Sequence, residues 1–180
     1  ADLATINDLD AHGCSVITAV TAQSSVTVAS VEAVSSQMLI AQLDVLAADL
    51  PPKAIKIGLL ASQQQIDFLA SWIAKSLLHW QDRGLTVAVI LDPVMVATCG
   101  DVLTGAETLD FTSFKGLLTL ITPNVSELAT LAGRQLLTAK QSVQAAQALA
   151  IQLQTSVLAK GGDIGPNWHK SYARDLLVCH

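Results

Sequence analysis

Groups able to handle a phosphorylated ligand recur along this chain in one setting, the residue just past a short apolar run: Gln23, Gly58, Asp92, Thr122 to Asn124, and Lys160 to Gly162. Asp92 ends the run Val87–Leu91 and is followed by Pro93, which removes a ladder donor and biases the preceding residue towards extended geometry. Its carboxylate can serve a metal or phosphate site, or simply form a turn before the proline; the strand-end position favours function. Asn124 and Glu127 are three apart across a helix start and can orient waters on a hard cation such as magnesium. They can equally be structural, with Asn124 or Ser126 capping the helix and Glu127 favouring its N-terminal dipole. Gly161 and Gly162 would let backbone N–H groups approach a phosphate beside the Lys160 ammonium, although a Gly-Gly after a strand is commonly a plain turn.

The elements that must position these groups alternate. Leu3, Ile6 and Leu9 are spaced for one helical face, and Cys14–Ala22 is expected as a buried strand with Cys14 in the core. Val26–Val34 is expected as a flap or hairpin beside that strand's end. A helix over Met38–Leu50, with Ser35 or Ser36 as N-cap, stops at Pro51 and Pro52. Strand Ala54–Ile57, helix Ser62–Trp80 and the strand before Asp92 follow, and Ile66, Leu69, Ile73 and Leu77 share one face of that helix. Asp92–Gly105 is expected as loop, Phe111–Leu117 as a short helix and Leu118–Ile121 as a strand. The chain continues with a helix from Ser126 to Leu131, helix Ala139–Leu153 capped by Thr138, and strand Ser156–Ala159. Such alternation implies βαβ crossovers and an α/β fold, a mostly parallel sheet with helices on both faces. That topology would gather the polar groups along one sheet edge, where ligands of open α/β sheets bind.

Composition narrows the function. The 180 residues, a length typical of one domain, are 51% hydrophobic and 14% charged, with net charge −5 and pI near 5.1. Without a Lys/Arg cluster there is no basic field for nucleic acid. Every apolar run is shorter than the roughly 18 to 20 residues of a membrane span, and the cysteines suggest no disulfide framework, so a cytoplasmic protein is expected. Cys14, Cys99 and Cys179 are odd in number and widely spaced, and His12, His79, His169 and His180 share no metal-ligand spacing. Cys99 falls in the loop past Met95, most simply as a small loop residue. Motifs of the GxSxG, GxxxxGK and GxGxxG types are absent.

Ordered blocks across nearly the whole chain carry a family likeness. They are Ala1-Asp2-Leu3, the run His12–Ala19 continuing to Ala22-Gln23, Lys56-Ile57-Gly58-Leu59-Leu60, Leu91-Asp92-Pro93-Val94-Met95-Val96, Ile121-Thr122-Pro123-Asn124 with Glu127, and Lys160-Gly161-Gly162. Together they resemble the bacterial hydroxymethylpyrimidine and phosphomethylpyrimidine kinases of thiamine synthesis, members of the ribokinase-like class. The resemblance implies a three-layer αβα fold and phosphorylation, with ATP and Mg2+, of a pyrimidine hydroxymethyl group and then of the monophosphate. It places Gln23 on the aminopyrimidine, Leu59 and Val94 as walls of its ring, and Asp2 in the substrate site. Asp92 is placed near magnesium and phosphate, Asn124 and Glu127 on the metal through water, and Lys160, Gly161 and Gly162 beside the nucleotide.

The chain also departs from the family pattern. The usual first strand and glycine-rich loop are not in front of Ala1, and the family's Gly-Thr-Gly-Cys segment, which carries the anion hole and catalytic residue, is not reached by His180. The expectation is therefore a single kinase domain incomplete at both ends, without its own catalytic residue. Asp163 stands where the family usually has His, and Ala4 where Lys is frequent. A pyridoxal kinase of the same class and a non-catalytic pyrimidine-binding module are the alternatives. Exposed helix faces in such folds also often form homodimers.

Overall fold

Parallel strands can be joined only by crossovers that return over the sheet, and the helices that make such crossovers need defined stops. The computed structural model describes residues 2–95, 109–161 and 174–180. In chain order the elements are α1 (Asp2–Asp8), β1 (Ala19–Gln23), β2 (Val28–Ala33), α2 (Ser36–Asp49), β3 (Ala54–Ile57), α3 (Gln63–Asp82) and β4 (Ala88–Leu91). A 3-10 turn (Thr112–Phe114), β5 (Leu120–Ile121), α4 (Val125–Leu131), α5 (Ala139–Leu153), β6 (Ser156–Ala159) and β7 (Leu176–Val178) complete the series.

The stops are chemical. Ser35, Ser62, Asn124 and Thr138 cap α2 to α5, each side chain accepting a first-turn N–H. At the end of α3, Gly84 adopts φ +73° while the N–H groups of Gly84 and Leu85 return to the carbonyls of Gln81 and Trp80. This Schellman closure needs a left-handed residue, which glycine supplies without Cβ strain.

The main sheet has the order β3-β4-β5-β6-β7, with the first four strands parallel and β7 antiparallel on the edge. Helix α2 packs on α3 and α4 on α5, giving the three-layer α/β class expected. Val89, Leu91, Ile121 and Val157 from the strands are fully buried, as are Ile66 and Ile73 of α3, Leu128 of α4 and Ala146 of α5.

The expectation for Cys14–Ala22 is corrected. Regular pairing begins only at Ala19, and β1 joins β2 in a separate two-stranded antiparallel ribbon. Cys14 is exposed rather than core, and Val26 keeps 79% of its surface. The physical reason is proximity: the Ser24 hydroxyl accepts the N–H groups of Val26 and Thr27 and closes a local turn, so this apolar run pairs with its neighbour in sequence. Val26–Val34 is a hairpin arm as expected. Phe111–Leu117 reduces to the single 3-10 turn, where Asp110 accepts the Thr112 N–H.

Because β4 lies between β3 and β5, Leu91→Ala is expected to cost about 3 to 4 kcal/mol of unfolding free energy. Ile151→Ala, on an exposed position of α5, should stay within about 0.5 kcal/mol. Chemical denaturation of the two variants checks the placement of the core.

Candidate functional site

Parallel register brings the carboxyl ends of β3 to β6 side by side, and the charged residues collect there. The backbone continues the ladder past the strands, with the Asp92 N–H donating to Ile57 O at 2.8 Å and the Thr122 N–H to Leu91 O at 2.9 Å. The Lys160 N–H donates to Pro123 O at 2.8 Å, and Asn124 and Lys160 form a further parallel bridge. Asp92, Thr122, Asn124 and Lys160 are thereby fixed by main-chain bonds before any side chain is considered.

The centre is the Asp92 carboxylate, about one-fifth exposed (20%). Oδ1 accepts from Lys160 Nζ at 2.8 Å and from Thr122 Oγ1 at 3.1 Å, while Oδ2 lies 3.8 Å from Lys56 Nζ. Lys56 in turn holds Asp2 Oδ2 at 2.7 Å. Two carboxylates and two ammonium groups thus alternate in one chain. Lys56 beside Asp2 holds that carboxyl below the usual aspartate range, chiefly through the hydrogen bond; partial burial opposes it, and the charge of Lys56 adds a smaller lowering effect. This pairing favours the folded state in full above the ordinary aspartate value of about 4 and is lost as pH falls through the lowered folded value. Both side chains are well exposed, so its contribution is small.

Asn124 and Glu127 form a reciprocal capping box. Asn124 Oδ1 accepts the Glu127 N–H and Glu127 Oε2 accepts the Asn124 N–H, both at 2.8 Å, with Glu127 only 7% exposed. Gly161 has its own structural constraint: a Cβ there would collide with the Arg174 carbonyl, and its N–H donates to Asp175 Oδ1 at 2.9 Å. Gly162, Asp163 and Cys99 lie outside the described residues.

The apolar groups follow strands of the main sheet, and the amide sits on the ribbon. Val94 is half-buried two residues past Asp92, and Leu59 is half-buried just after β3. Gln23 is exposed at the end of β1, where the pairing jumps from Ala22↔Ser30 to Gln23↔Val28. Such an irregularity re-aims the side chain that follows it. Among the described residues no three of His, Cys, Asp or Glu converge on one point, and no helix is long and apolar enough to cross a membrane.

A family model for phosphomethylpyrimidine kinase matches residues 1–180. The chain belongs to that family. The hydroxymethylpyrimidine/phosphomethylpyrimidine kinase of Rhizobium meliloti is 36% identical over 168 residues, covering 91% of this chain and 59% of that protein. The Bacillus subtilis kinase of the same name is 36% identical over 166 residues, covering 90% and 58%. The chain therefore spans about three-fifths of the length of these curated relatives. The crystal structure of phosphomethylpyrimidine kinase from Clostridium difficile superimposes with a TM-score of 0.75 at 27% identity, over 99% of this chain and 72% of that one. Pyridoxal kinase from Staphylococcus aureus superimposes at 0.78 with 24% identity, a likeness of fold.

In this phosphomethylpyrimidine kinase family member the structure joins Asp2, Asp92, Asn124, Glu127 and Lys160 along one edge through Lys56, Thr122 and the backbone bridge. It sets Gln23 on the ribbon instead. Sequence reading treated Lys56 only as part of a block, yet a lysine between Ile55 and Ile57 in an apolar strand is itself a sign of a charge partner. Gln65 was missed altogether. It is 1% exposed, immediately before the buried Ile66, and its carboxamide makes three hydrogen bonds.

Asn124→Ala removes one half of the capping box and should cost about 1 kcal/mol in urea unfolding. The effect of Asp2→Asn at pH 7 should be smaller than that.

Proposed function

We propose that the chain is the pyrimidine- and phosphate-binding part of an ATP-dependent kinase acting on 4-amino-5-hydroxymethyl-2-methylpyrimidine and its monophosphate. The observation carrying this reading is the Asp92 carboxylate held by Lys160 and Thr122 at the carboxyl edge of the parallel sheet. Membership of the phosphomethylpyrimidine kinase family supports the substrate class.

Phosphoryl transfer asks little covalent chemistry of a protein; it asks for alignment and for charge placed where the phosphoryl group passes. Lys160 presents a compact ammonium with three donors, of which Asp92 accepts one. That places positive charge at the edge with its counter-charge beside it. Leu59 and Val94 would flank the flat ring, and the Gln23 carboxamide would read its amino-pyrimidine edge, a division typical of small-ligand sites. Asp2, tied to Asp92 through Lys56, would couple the substrate end of the site to the phosphate end.

Asp92, Asn124 and Glu127 offer hard oxygen donors, and Mg2+ is normally held by one or two carboxylates together with substrate phosphates and waters. Their donor chemistry suits that ion. Asp92 would hold it, with Asn124 and Glu127 acting through water, and when bound it would neutralise charge on the transferred phosphoryl group. The capping box makes the outer pair rigid, since each side chain is pinned by the other's N–H. Lys160 with Gly161 and Gly162 would border the nucleotide.

In the complete natural protein, ADP release with hydroxymethylpyrimidine and Mg2+ is the deciding assay. Asp92→Asn is expected to lower kcat by about 100-fold, and Gln23→Ala to raise pyrimidine KM about tenfold with nucleotide KM unchanged. Turnover of pyridoxal in place of the pyrimidine, or binding without turnover, would contradict the reading. Glu127→Gln keeps an acceptor for the Asn124 N–H but removes the charge. It should preserve the unfolding midpoint while raising the Mg2+ needed for half-maximal rate several-fold, whereas a purely structural Glu127 would leave the Mg2+ dependence unchanged.

A further inference from the structure

The β1–β2 ribbon is anchored at its base by a buried side chain. Gln65, in the first turn of α3, is 1% exposed, and its carboxamide accepts the Ala61 N–H at 3.0 Å through Oε1. Its Nε2 donates to Thr18 O at 2.7 Å and Val34 O at 2.9 Å. Thr18 and Val34 are the residues just before β1 and just after β2, themselves joined by the Val34 N–H donating to Thr18 O at 2.9 Å. One amide therefore grips both strands at the base of the ribbon, and the pattern of two donors and one acceptor suits glutamine but neither glutamate nor an apolar side chain.

Two further contacts support the same anchor. The Thr18 hydroxyl donates to Leu59 O at 2.6 Å, tying the ribbon's base to the loop that carries Leu59. On the α2 side, Gln42 makes a reciprocal pair with Ile17, accepting its N–H at 2.9 Å and donating to its carbonyl at 3.1 Å.

From Thr18 to Gln23 the extended strand covers about 17 Å, so a tilt of about 10° at the base displaces Gln23 by about 3 Å. Displacements of about 1 Å are enough to change reaction rates by orders of magnitude. We infer that Gln65 is a positioning residue for the pyrimidine end of the site, setting the ribbon's angle and with it the placement of Gln23 relative to Leu59. This inference rests on the kinase reading above.

The test is Gln65→Met, of similar volume but unable to make these bonds, in the complete natural protein. Pyrimidine KM should rise about tenfold or more with nucleotide KM unchanged within about twofold. The effect should shrink markedly in a Gln23→Ala background, because the two residues act through one contact. Amide hydrogen exchange over residues 19–33 should accelerate while α5 keeps its protection. If Gln65→Met does not fold, Thr18→Val, which removes only the bond to Leu59 O, carries the same comparison with a smaller expected rise. Unchanged pyrimidine KM, an equal rise for both substrates, or full additivity with Gln23→Ala overturns the inference. If the wild-type protein proves inactive on the pyrimidine, the kinase reading fails on its own. Hydrogen exchange then decides the anchor: faster exchange in the ribbon supports it, and unchanged exchange removes it.

Discussion

The constraint on which the site depends is the shared direction of β3, β4, β5 and β6. Asp92 and Lys160 are 68 residues apart, yet their side chains meet at 2.8 Å because β4 and β6 both run parallel to the strand between them. Reversing either strand would send its polar terminus to the opposite edge. Burial of Val89, Leu91, Ile121 and Val157 fixes the register, since a one-residue slip would turn these side chains to the other face. The apolar core thus determines where the charges lie, and the ion pair is its consequence more than its cause.

A second level of organisation is independent of the sheet. The β1–β2 ribbon has its own local pairing and much exposed surface, and it reaches the body through Gln42, Gln65 and Thr18. Main-chain carbonyls read by side-chain amides substitute here for a continuous core. The charged edge is rigid because backbone ladders hold it, whereas the ribbon is held through hydrogen bonds at one end. Such a division suits a ligand with two unlike ends, a flat apolar ring and a phosphorylated arm.

Much of the fold was legible because the relevant physics is local. Helix α5 and its Thr138 cap coincide with the expected Ala139–Leu153, and β3 and β6 coincide with theirs, since caps, prolines and short β-branched runs act within a few residues. Burial of Cys14–Ala22 was misread because an apolar run does not reveal whether its partner is a central strand or the next hairpin arm. Strand β7 has three residues, too few for any period to register, and it owes its place to pairing with β6. In the site, Asp92, Asn124 and Lys160 could be read from their positions after apolar runs. Lys56 and Gln65 could not be assigned partners, because Asp2, Thr18 and Val34 become neighbours only on folding. The capping box bears out the structural reading of Asn124 and Glu127.

The central claim is that the ribbon and the charged edge form one site for a pyrimidine and a nucleotide. A crystal structure of the complete natural protein with hydroxymethylpyrimidine, a non-hydrolysable ATP analogue and Mg2+ tests it most directly. The account predicts the ring between Leu59 and Val94 with Gln23 on its amino edge, and the terminal phosphate beside Lys160 and Asp92. A ring bound away from the ribbon, or phosphates out of contact with the Asp92–Lys160 edge, would contradict it.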